Sequence, residues 1–324
     1  MERVARIDAY GGPEAITWHD AALPAPGPGE VTMRNTAVGL NFIDTYHRRG
    51  TYPMALPTGL GIEAAGVVEA IGPGVSGLAP GDRVCTFGPL LGAYATARNI
   101  PAAVLLRTPD DIPDELAAAV LLKGCTAEFL VERCGRVQPS QWVLVHAAAG
   151  GVGLLLVRWL RYVGAQVIGT TSTAAKAALA RAAGAAHVID YTREDTAARV
   201  REITDGAGVR VTFDGVGMDT WQASLDATGK RGLIASYGNA SAPVTGVALG
   251  LLATKGSLFC TRPTLFDYYT DPAESAAGAA RMFDLVRRQV LTVTIGQRYP
   301  LEQAARAHAD LEARRTTGST LLIP

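Results

Sequence analysis

The sequence predicts an α/β protein of two domains, a β-rich first domain followed by a doubly wound parallel sheet. Three observations support this fold class. The chain has 324 residues, more than the roughly 250–300 residues at which single cores divide into domains. Hydrophobic residues make up 48% of it and charged residues 19%, which is enough apolar material for two packed cores. Patterns of short strands prevail before residue 112, and strand and helix patterns alternate after it.

Charge balance and apolar pattern exclude several classes of partner. The 30 basic and 30 acidic residues cancel, so neither nucleic acid nor an anionic membrane surface is expected as a partner. The longest apolar runs, such as 151–156 and 247–252, are too short to span a bilayer. The start of the chain has no signal-peptide pattern, and its four cysteines are scattered. We therefore expect a cytoplasmic protein with free thiols.

The first domain is predicted from glycine and proline turns that separate short apolar stretches. Turn signals such as Gly72-Pro73-Gly74 and Pro80-Gly81-Asp82 bracket apolar runs that fit strands at 67–71 and 83–87. Many short strands of this kind favour a barrel-like or partly open β domain. The apolar segment 319–323 near the end of the chain is expected to return to this domain as a strand.

The second domain is predicted from strands and helices that alternate. Pro113-Asp114-Glu115 opens a helix, because proline and acids suit the unpaired N–H groups of a first turn. The alternation that follows indicates βαβ units and a parallel sheet. The predicted elements of this series are strand 142–146, helix 152–163, strand 166–169, helix 174–183, strand 187–190, helix 194–203, strand 209–214 and segments at 232–236 and 256–261. Beyond residue 265 the pattern changes to a helix, a strand and helix 301–314.

The strongest local pattern is a glycine turn after the first strand of this series. Residues 143–153, Val-Leu-Val-His-Ala-Ala-Ala-Gly-Gly-Val-Gly, run from a buried strand through a tight turn into a helix. Such a turn presents backbone N–H groups and a helix N-terminus to a diphosphate, as in a Rossmann domain. Ala148 stands where the first glycine of the GxGxxG pattern would be, so a plain strand–helix connection is the alternative. We predict that Gly150, Gly151 and Val152 bind a dinucleotide.

The end of the next strand predicts NADPH rather than NADH. An NAD site usually carries Asp or Glu about 20 residues further on, where it binds the ribose 2′-hydroxyl. The segment 169–176, Gly-Thr-Thr-Ser-Thr-Ala-Ala-Lys, has no acid. Ser172, Thr173 and Lys176 are therefore predicted to hold the 2′-phosphate of NADPH. The alternative for Lys176 is an ordinary solvated helix residue.

Four motifs carry a family resemblance that covers essentially the whole chain. They are Asn41-Phe42-Ile43-Asp44-Thr45-Tyr46, residues 59–66, residues 81–84 and residues 146–153. With these motifs the chain resembles the zeta-crystallin-type NADPH:quinone oxidoreductases of the medium-chain dehydrogenase/reductase superfamily. The resemblance implies a homodimer with an interdomain cleft. It also implies a GroES-like catalytic domain, which we assign to residues 1–122 and 266–324, and an inserted Rossmann NADPH-binding domain, which we assign to residues 123–265.

Further cofactor contacts follow from the same resemblance. Phe129 departs from the tyrosine that related enzymes often carry at this position, so a hydroxyl contact would be lost while the packing of the ring remains. The implied contacts, together with Gly215, are Asn41, Tyr46, Lys123, Phe129, Tyr191, Tyr237, Gly238, Asn239, Arg262 and Arg314.

Two positions argue against zinc. Zinc alcohol dehydrogenases of the superfamily carry a Gly-His-Glu motif whose histidine binds the metal, whereas this chain has Gly61-Ile62-Glu63. Asn41 occupies the region of a cysteine ligand, and an amide oxygen is a poor zinc donor. We expect no metal site, and hence no alcohol oxidation, which needs a Lewis acid to polarise the carbonyl.

The resulting hypothesis is a zinc-independent, NADPH-dependent quinone reductase. Reduction of a quinone restores aromaticity, so the site needs cofactor positioning and a flat apolar slot rather than a metal. Asn41, Tyr46 and Tyr52 are expected to line that slot. Either tyrosine, or water, would supply the proton, and packing alone is the alternative for each tyrosine. Two other functions stay open, namely reduction of α,β-unsaturated carbonyls (an enone or enoyl reductase) and non-catalytic NADPH binding.

Three polar residues are given structural rather than catalytic roles. Asp44 and Glu63 are expected to accept hydrogen bonds from loop N–H groups. His146 ends a predicted buried strand, so a hydrogen-bonded core histidine is expected there in preference to a ligand.

Overall fold

The computed structural model describes all 324 residues and divides into two compact units. The first unit comprises Met1–Leu122, Thr270–Phe283 and Val293–Pro324, and the second comprises Lys123–Tyr269 and Asp284–Thr292. By packing, residues 266–269 and 284–292 thus fall in the second unit, whereas the sequence-derived limits put them in the first domain. Those domain limits stay a prediction. None of the helices has the length and apolar character needed to cross a lipid bilayer.

Strands and helices alternate along most of the chain. The strands are β1 (Glu2–Arg6), β2 (Thr17–Ala21), β3 (Glu30–Leu40), β4 (Glu63–Ile71), β5 (Arg83–Phe87), β6 (Ala97–Pro101), β7 (Leu106–Arg107), β8 (Trp142–Val145), β9 (Gln166–Thr171), β10 (His187–Asp190), β11 (Val209–Asp214), β12 (Thr228–Ser236), β13 (Phe259–Thr261), β14 (Ile295–Pro300) and β15 (Ser319–Ile323). The helices are α1 (Phe42–Arg49), α2 (Asp114–Glu128), α3 (Gly151–Tyr162), α4 (Ala174–Ala183), α5 (Thr196–Ile203), α6 (Met218–Ala227), α7 (Leu249–Thr254), α8 (Pro272–Arg287) and α9 (Ala304–Glu312).

The first unit is built on a seven-stranded sheet in the order β14-β15-β3-β4-β5-β7, with β6 also paired to β3. Strand β15 is parallel to β14 and antiparallel to β3, where Leu322 lies opposite Val38. The predicted return of the chain end to this unit is therefore confirmed. The apolar core of the unit includes Met33, Val68 and the fully buried Tyr94.

The second unit contains a six-stranded, all-parallel sheet in the order β10-β9-β8-β11-β12-β13. From β8 the chain first adds β9 and β10 on one side and then β11 to β13 on the other. This reversal is the topological switch point of a doubly wound sheet, and ligands bind beyond the carboxyl ends of the strands there. The predicted fold class of the second domain is confirmed.

Most predicted limits agree with the structure to within two residues. Strand 209–214 and helix 174–183 have the predicted ends. The helix predicted to begin at residue 194 begins at Thr196, because the Asp195 carboxylate caps it by accepting the Ala198 N–H at 2.8 Å. A π-helical segment that was not predicted, Phe129–Cys134, follows α2.

Candidate functional site

The glycine turn lies at the switch point, directly after β8. Gly150 is the N-cap of α3, and the first N–H groups of a helix have no partner within it. A Cβ at Gly153 would overlap the Ala147 carbonyl and the Ala148 backbone. Only glycine therefore allows α3 to begin so close to the strand end. The turn forms a cradle of backbone donors that fits an anionic diphosphate.

The end of the neighbouring strand β9 brings together the residues predicted to hold the 2′-phosphate. Thr173 is the N-cap of α4, and its Oγ1 accepts the Lys176 backbone N–H at 3.2 Å. The Tyr191 N–H donates to the carbonyl of Thr171 at 3.2 Å, which places Tyr191 beside the same strand end. Ser172 lies between that strand end and the cap. The first turn of α4 has no acidic residue.

The nearest acid in the neighbouring strand is Asp190, the last residue of β10. Its Oδ1 accepts the hydroxyl and the backbone N–H of Thr192, at 2.7 and 3.1 Å. These two hydrogen bonds lower the pKa of the Asp190 carboxyl. The carboxylate is thus used to form a local turn, as Asx turns do.

A second cluster lies where β11 and β12 end. The Tyr237 N–H donates to the Asp214 carbonyl at 2.8 Å, and the Ala240 N–H donates to the Gly215 carbonyl at 3.3 Å. A Cβ at Gly215 would overlap the Tyr237 ring, and one at Gly238 would overlap the Gly215 carbonyl. The structure therefore brings the predicted residues Gly215, Tyr237, Gly238 and Asn239 into one close-packed double turn.

Asp214 shapes this double turn, and the sequence analysis missed it. Its carboxylate is fully buried. Its Oδ1 accepts the Val216 and Gly217 N–H groups at 2.9 and 3.0 Å, and its Oδ2 accepts the Ser224 hydroxyl at 2.6 Å. The available signal was an acid at the end of a strand directly before a Gly-Val-Gly turn.

His146 extends the same hydrogen-bonded line under the glycine turn. Its Nε2 lies 3.1 Å from Ser224 Oγ and its Nδ1 lies 3.2 Å from Thr170 Oγ1. Burial lowers the pKa of His146, and the charge of Asp214 opposes this only partly. The histidine has hydrogen-bonding partners on both ring nitrogens, as expected of a core residue.

Asn41 is the central polar residue of the first unit. It is the buried N-cap of α1. Its Nδ2 donates to Glu63 Oε2 at 2.9 Å, and its backbone N–H donates to Asp44 Oδ2 at 2.9 Å. The other Glu63 oxygen accepts the Leu122 N–H at 2.7 Å. The side chain and the main chain of Asn41 are thus each held by a buried carboxylate. Asp44 accepts a main-chain N–H before α1, as expected, whereas Glu63 accepts the Asn41 amide and an N–H within α2.

Tyr46 and Tyr52 form an aromatic pair after Asn41. Their ring centroids lie 5.3 Å apart at an interplanar angle of 72°, a favourable edge-to-face geometry. The Tyr52 N–H donates to the Tyr46 carbonyl at 3.3 Å. Tyr46 is 8% exposed and Tyr52 is half-buried. The pair is therefore a fixed aromatic wall in the unit that contains Asn41.

The remaining predicted residues occupy separate places. Lys123 is buried in α2. Phe129 is buried and stacks on Tyr268 with centroids 4.6 Å apart, so its ring is a packing element. Arg262 follows β13 and donates to the Pro263 carbonyl at 3.0 Å. Arg314 follows α9 in the first unit and has a φ of 59°.

The donor set does not suit a metal. No three His, Cys, Asp or Glu side chains are grouped so that they could hold an ion. Ile62 is 1% exposed and has no donor atom. The Asn41 amide nitrogen donates to Glu63, and none of the four cysteines forms a disulfide.

Comparison with known proteins shows relatives that span the whole chain. Residues 151–286 match the zinc-binding dehydrogenase family, and residues 27–110 match the alcohol dehydrogenase GroES-like domain. A quinone oxidoreductase of Pseudomonas aeruginosa is 49% identical over 325 residues, covering 100% of both chains. A 2-haloacrylate reductase of a Burkholderia species is 44% identical, covering 100% of this chain and 99% of the relative.

A solved structure agrees with these sequence relatives. The Escherichia coli quinone oxidoreductase, solved in complex with NADPH, has a TM-score of 0.97 to this chain at 46% identity. The match covers 99% of this chain and 100% of that one. Likeness at this level, over the full length, confirms the resemblance that the sequence motifs predicted.

Proposed function

Because this chain belongs to the quinone oxidoreductase family of the medium-chain dehydrogenase/reductase superfamily, we propose that it is an NADPH-dependent quinone reductase. The GroES-like match, residues 27–110, lies in the first unit, and most of the dehydrogenase match, residues 151–286, lies in the second. The observation that carries the proposal is the acid-free start of α4 beside the glycine turn. Asn41 and the aromatic pair Tyr46 and Tyr52 support a planar acceptor.

The second unit fits NADPH by its donor chemistry. The first-turn N–H groups of α3 at Gly151 and Val152 would hold the diphosphate. At the end of β9, the hydroxyls of Ser172 and Thr173 and the ammonium of Lys176 would hold the 2′-phosphate. A carboxylate there would repel that phosphate, and α4 has none in its first turn. The double turn at Gly215 and Tyr237 offers backbone against which the nicotinamide half would pack.

The first unit supplies substrate contacts rather than a Lewis acid. When bound, NADPH supplies the hydride, and reduction makes the ring of the quinone aromatic. The edge-to-face pair Tyr46 and Tyr52 presents a flat apolar surface that suits a planar ring. Asn41, held by Glu63, would orient the acceptor with its amide. A tyrosine hydroxyl or water would donate a hydrogen bond to the developing oxyanion and protonate it.

One relative favours a second candidate function. The 2-haloacrylate reductase shares 44% identity with this chain over its full length, and its name describes reduction of an activated alkene. The same slot would admit an α,β-unsaturated carbonyl, with hydride added to carbon. Quinone reduction is preferred because three relatives at 46–49% identity are named quinone oxidoreductases.

An acceptor panel tests the choice. The purified chain is mixed with NADPH and, in turn, with 1,4-benzoquinone, 9,10-phenanthrenequinone, a 2-alkenal and 2-chloroacrylate, and loss of the NADPH absorbance is followed. We expect turnover with at least one quinone at a kcat/KM well above that for either alkene. Turnover confined to the alkenes would assign the second function, and binding of NADPH without any turnover would leave a non-catalytic protein.

We also propose a homodimer that pairs through the β13 edge of the parallel sheet. Phe259 in β13 is 61% exposed, and a strand edge with an apolar side chain invites pairing with another strand. The opposite edge strand, β10, has no large apolar residue among its exposed ones. A second copy of the chain at β13 would cover Phe259 and continue the sheet.

A cytoplasmic location is proposed from the thiols. None of the four cysteines forms a disulfide, and Cys260 is exposed. Free exposed thiols persist in a reducing compartment. Cell fractionation with an antibody to the chain would test this, and recovery in an oxidising compartment would contradict it.

A further inference from the structure

A line of buried polar side chains joins α1 to α9 inside the first unit. Arg48 Nη1 lies 2.9 Å from His308 Nδ1, and His308 Nε2 lies 2.9 Å from the Tyr94 hydroxyl oxygen. The Tyr94 hydroxyl is 3.0 Å from Asp44 Oδ2, the atom that also accepts the Asn41 N–H. All four side chains of the line are fully buried. Nothing in the sequence signals this contact, since His308 lies 214 residues from Tyr94.

The two ends of the line fix the direction of every hydrogen bond in it. A guanidinium can only donate, so His308 Nδ1 must accept from Arg48. The proton of the neutral ring is then on Nε2, which donates to the Tyr94 oxygen. The Tyr94 hydroxyl is left to donate to Asp44 Oδ2, the oxygen that also accepts the Asn41 N–H. The donor at the Arg48 end and the acceptor at the Asp44 end thus leave one possible arrangement.

The titration of these groups is consistent with that arrangement. Burial, and after it the charges of Arg48 and Arg49, lower the pKa of His308 to about 3. Burial, and after it the charge of Asp44, raises the pKa of Tyr94. Both therefore stay neutral near neutral pH. The remaining charged partner is Glu312, which accepts from Arg48 Nη2 at 2.5 Å and from Arg49 Nε at 3.0 Å.

We propose that Tyr94 and His308 are positioning residues for the reaction, acting through Asp44 to hold the Asn41 N-cap and the start of α1. This inference rests on the proposed function only for its catalytic consequence. Asp44 fixes the Asn41 main chain, and helix α1 carries Tyr46. Without the Tyr94 donor, the carboxylate that holds Asn41 loses a buried hydrogen bond and the N-cap loosens. A misplacement of about 1 Å at a reacting group lowers rates by up to about 100-fold.

Three substitutions test whether the hydrogen bonds of the line, rather than the bulk of its side chains, hold the start of α1. Tyr94→Phe keeps the ring and removes the hydroxyl. His308→Leu removes both hydrogen bonds of that residue. His308→Gln restores them, since an amide can accept from Arg48 and donate to Tyr94. The matched control is Tyr299→Phe, which removes a tyrosine–aspartate hydrogen bond of 2.9 Å in the same unit, between Tyr299 and Asp310.

Two readouts are measured for each variant. We expect Tyr94→Phe and His308→Leu to lower kcat with a quinone by about tenfold and His308→Gln to restore at least half of it. The Kd for NADPH, whose predicted contacts lie mostly in the second unit, changes less than about twofold. Hydrogen exchange of the α1 amides, followed by mass spectrometry, becomes about tenfold faster in Tyr94→Phe. Tyr299→Phe changes neither readout.

Several results would overturn the inference. Unchanged α1 exchange in Tyr94→Phe would do so whatever acceptor the enzyme uses, and so would equal rates for His308→Leu and His308→Gln. A loss as large in Tyr299→Phe would show general destabilisation instead. A wild-type enzyme that reduces no quinone would instead refute the proposed function, and the exchange experiment would still decide the positioning role.

Discussion

The Thr173 hydroxyl oxygen accepts the backbone N–H of Lys176 at 3.2 Å, so one residue caps α4 and fixes the turn that presents the lysine. Both residues are among those predicted to hold the 2′-phosphate. The capping bond and the phosphate contact are separable, because one contributes to folding and the other to cofactor selectivity.

Replacing Lys176 with alanine should change cofactor selectivity. A charge-assisted contact to a phosphate contributes roughly 1.5–3 kcal/mol, so Lys176→Ala should weaken NADPH binding by at least about tenfold. NADH lacks the 2′-phosphate and should bind about as before. Titration calorimetry with both cofactors measures the ratio. Lys230→Ala, on the exposed part of β12, is the control, and equal losses for NADPH and NADH would contradict the assignment.

Two N-caps of the second unit form a matched pair. Thr173→Ala and Asp195→Ala each remove a side-chain cap, on α4 and α5 respectively. Each should lower the free energy of unfolding by about 1 kcal/mol. Only Thr173→Ala should also weaken NADPH binding, because Asp195 has no predicted cofactor role. Urea denaturation and NADPH titration test this, and the prediction fails if the two variants bind NADPH equally well.

Gly153 should not tolerate a methyl group. Its Cβ would overlap backbone atoms of Ala147 and Ala148, so Gly153→Ala must move α3 away from the glycine turn. We expect a loss of about 1–3 kcal/mol in unfolding free energy and weaker NADPH binding. Gly250→Ala is the control, since nothing lies within 4 Å of its Cβ. In the helical α7 that change should be neutral or stabilising by up to about 1 kcal/mol. Equal unfolding free energies and equal NADPH affinities for the two variants would contradict the proposed role of the glycine turn.

The exposed edge strand predicts a change of oligomeric state. Phe259→Glu replaces the exposed apolar side chain of β13 with a charged one and should convert the homodimer into a monomer. Light scattering coupled to size-exclusion chromatography gives the mass directly. His187→Glu at the other sheet edge should leave the mass unchanged. A wild-type chain that elutes as a monomer would dismiss the proposed dimer.

Buried histidines predict a loss of stability on acidification. Burial lowers the pKa of His47 to about 4, and burial with Arg48 and Arg49 lowers that of His308 to about 3. In the unfolded chain a histidine titrates near about 6.5. Below that pH the unfolded chain binds protons that the folded chain does not, so stability is complete above about pH 6.5 and falls towards pH 4.

A single variant tests the sign and size of this effect. For the fully buried His308 the slope is about 1.4 kcal/mol per pH unit between the two pKa values. His308→Gln should therefore show a flatter dependence of unfolding free energy between about pH 6.5 and 4. An unchanged slope in His308→Gln would contradict a depressed pKa.

The sequence predicted the second unit better than the first, for a physical reason. Its strands and helices are consecutive and end at glycines, such as Gly164 and Gly184, that local pattern identifies. The residues at the strand ends also come together, because parallel strands end at the same sheet edge. In contrast, helix α1 was not predicted, because a helix of only eight residues gives too short a pattern to be recognised.

The polar line from Arg48 to Asp44 was beyond sequence reasoning. His308 reaches Tyr94 only because α9 packs next to the sheet that the end of the chain completes. Nothing in the spacing of residues 94 and 308 signals that contact. The same holds for Asn41 and Glu63, whose motifs suggested the absence of zinc but not the amide–carboxylate hydrogen bond that holds them together.

The position of β15 between β14 and β3 has a consequence for biosynthesis. Strand β15, which pairs with the Val38–Leu40 end of β3, is made after every other strand of the two sheets, so the nascent chain carries an open edge at this end of β3 until residue 323 has left the ribosome. The second unit has all its strands by residue 261 and can complete its sheet while translation continues. A truncation before Ser319 would therefore leave the newly made chain with a permanently open edge, a substrate for chaperones and a site of aggregation.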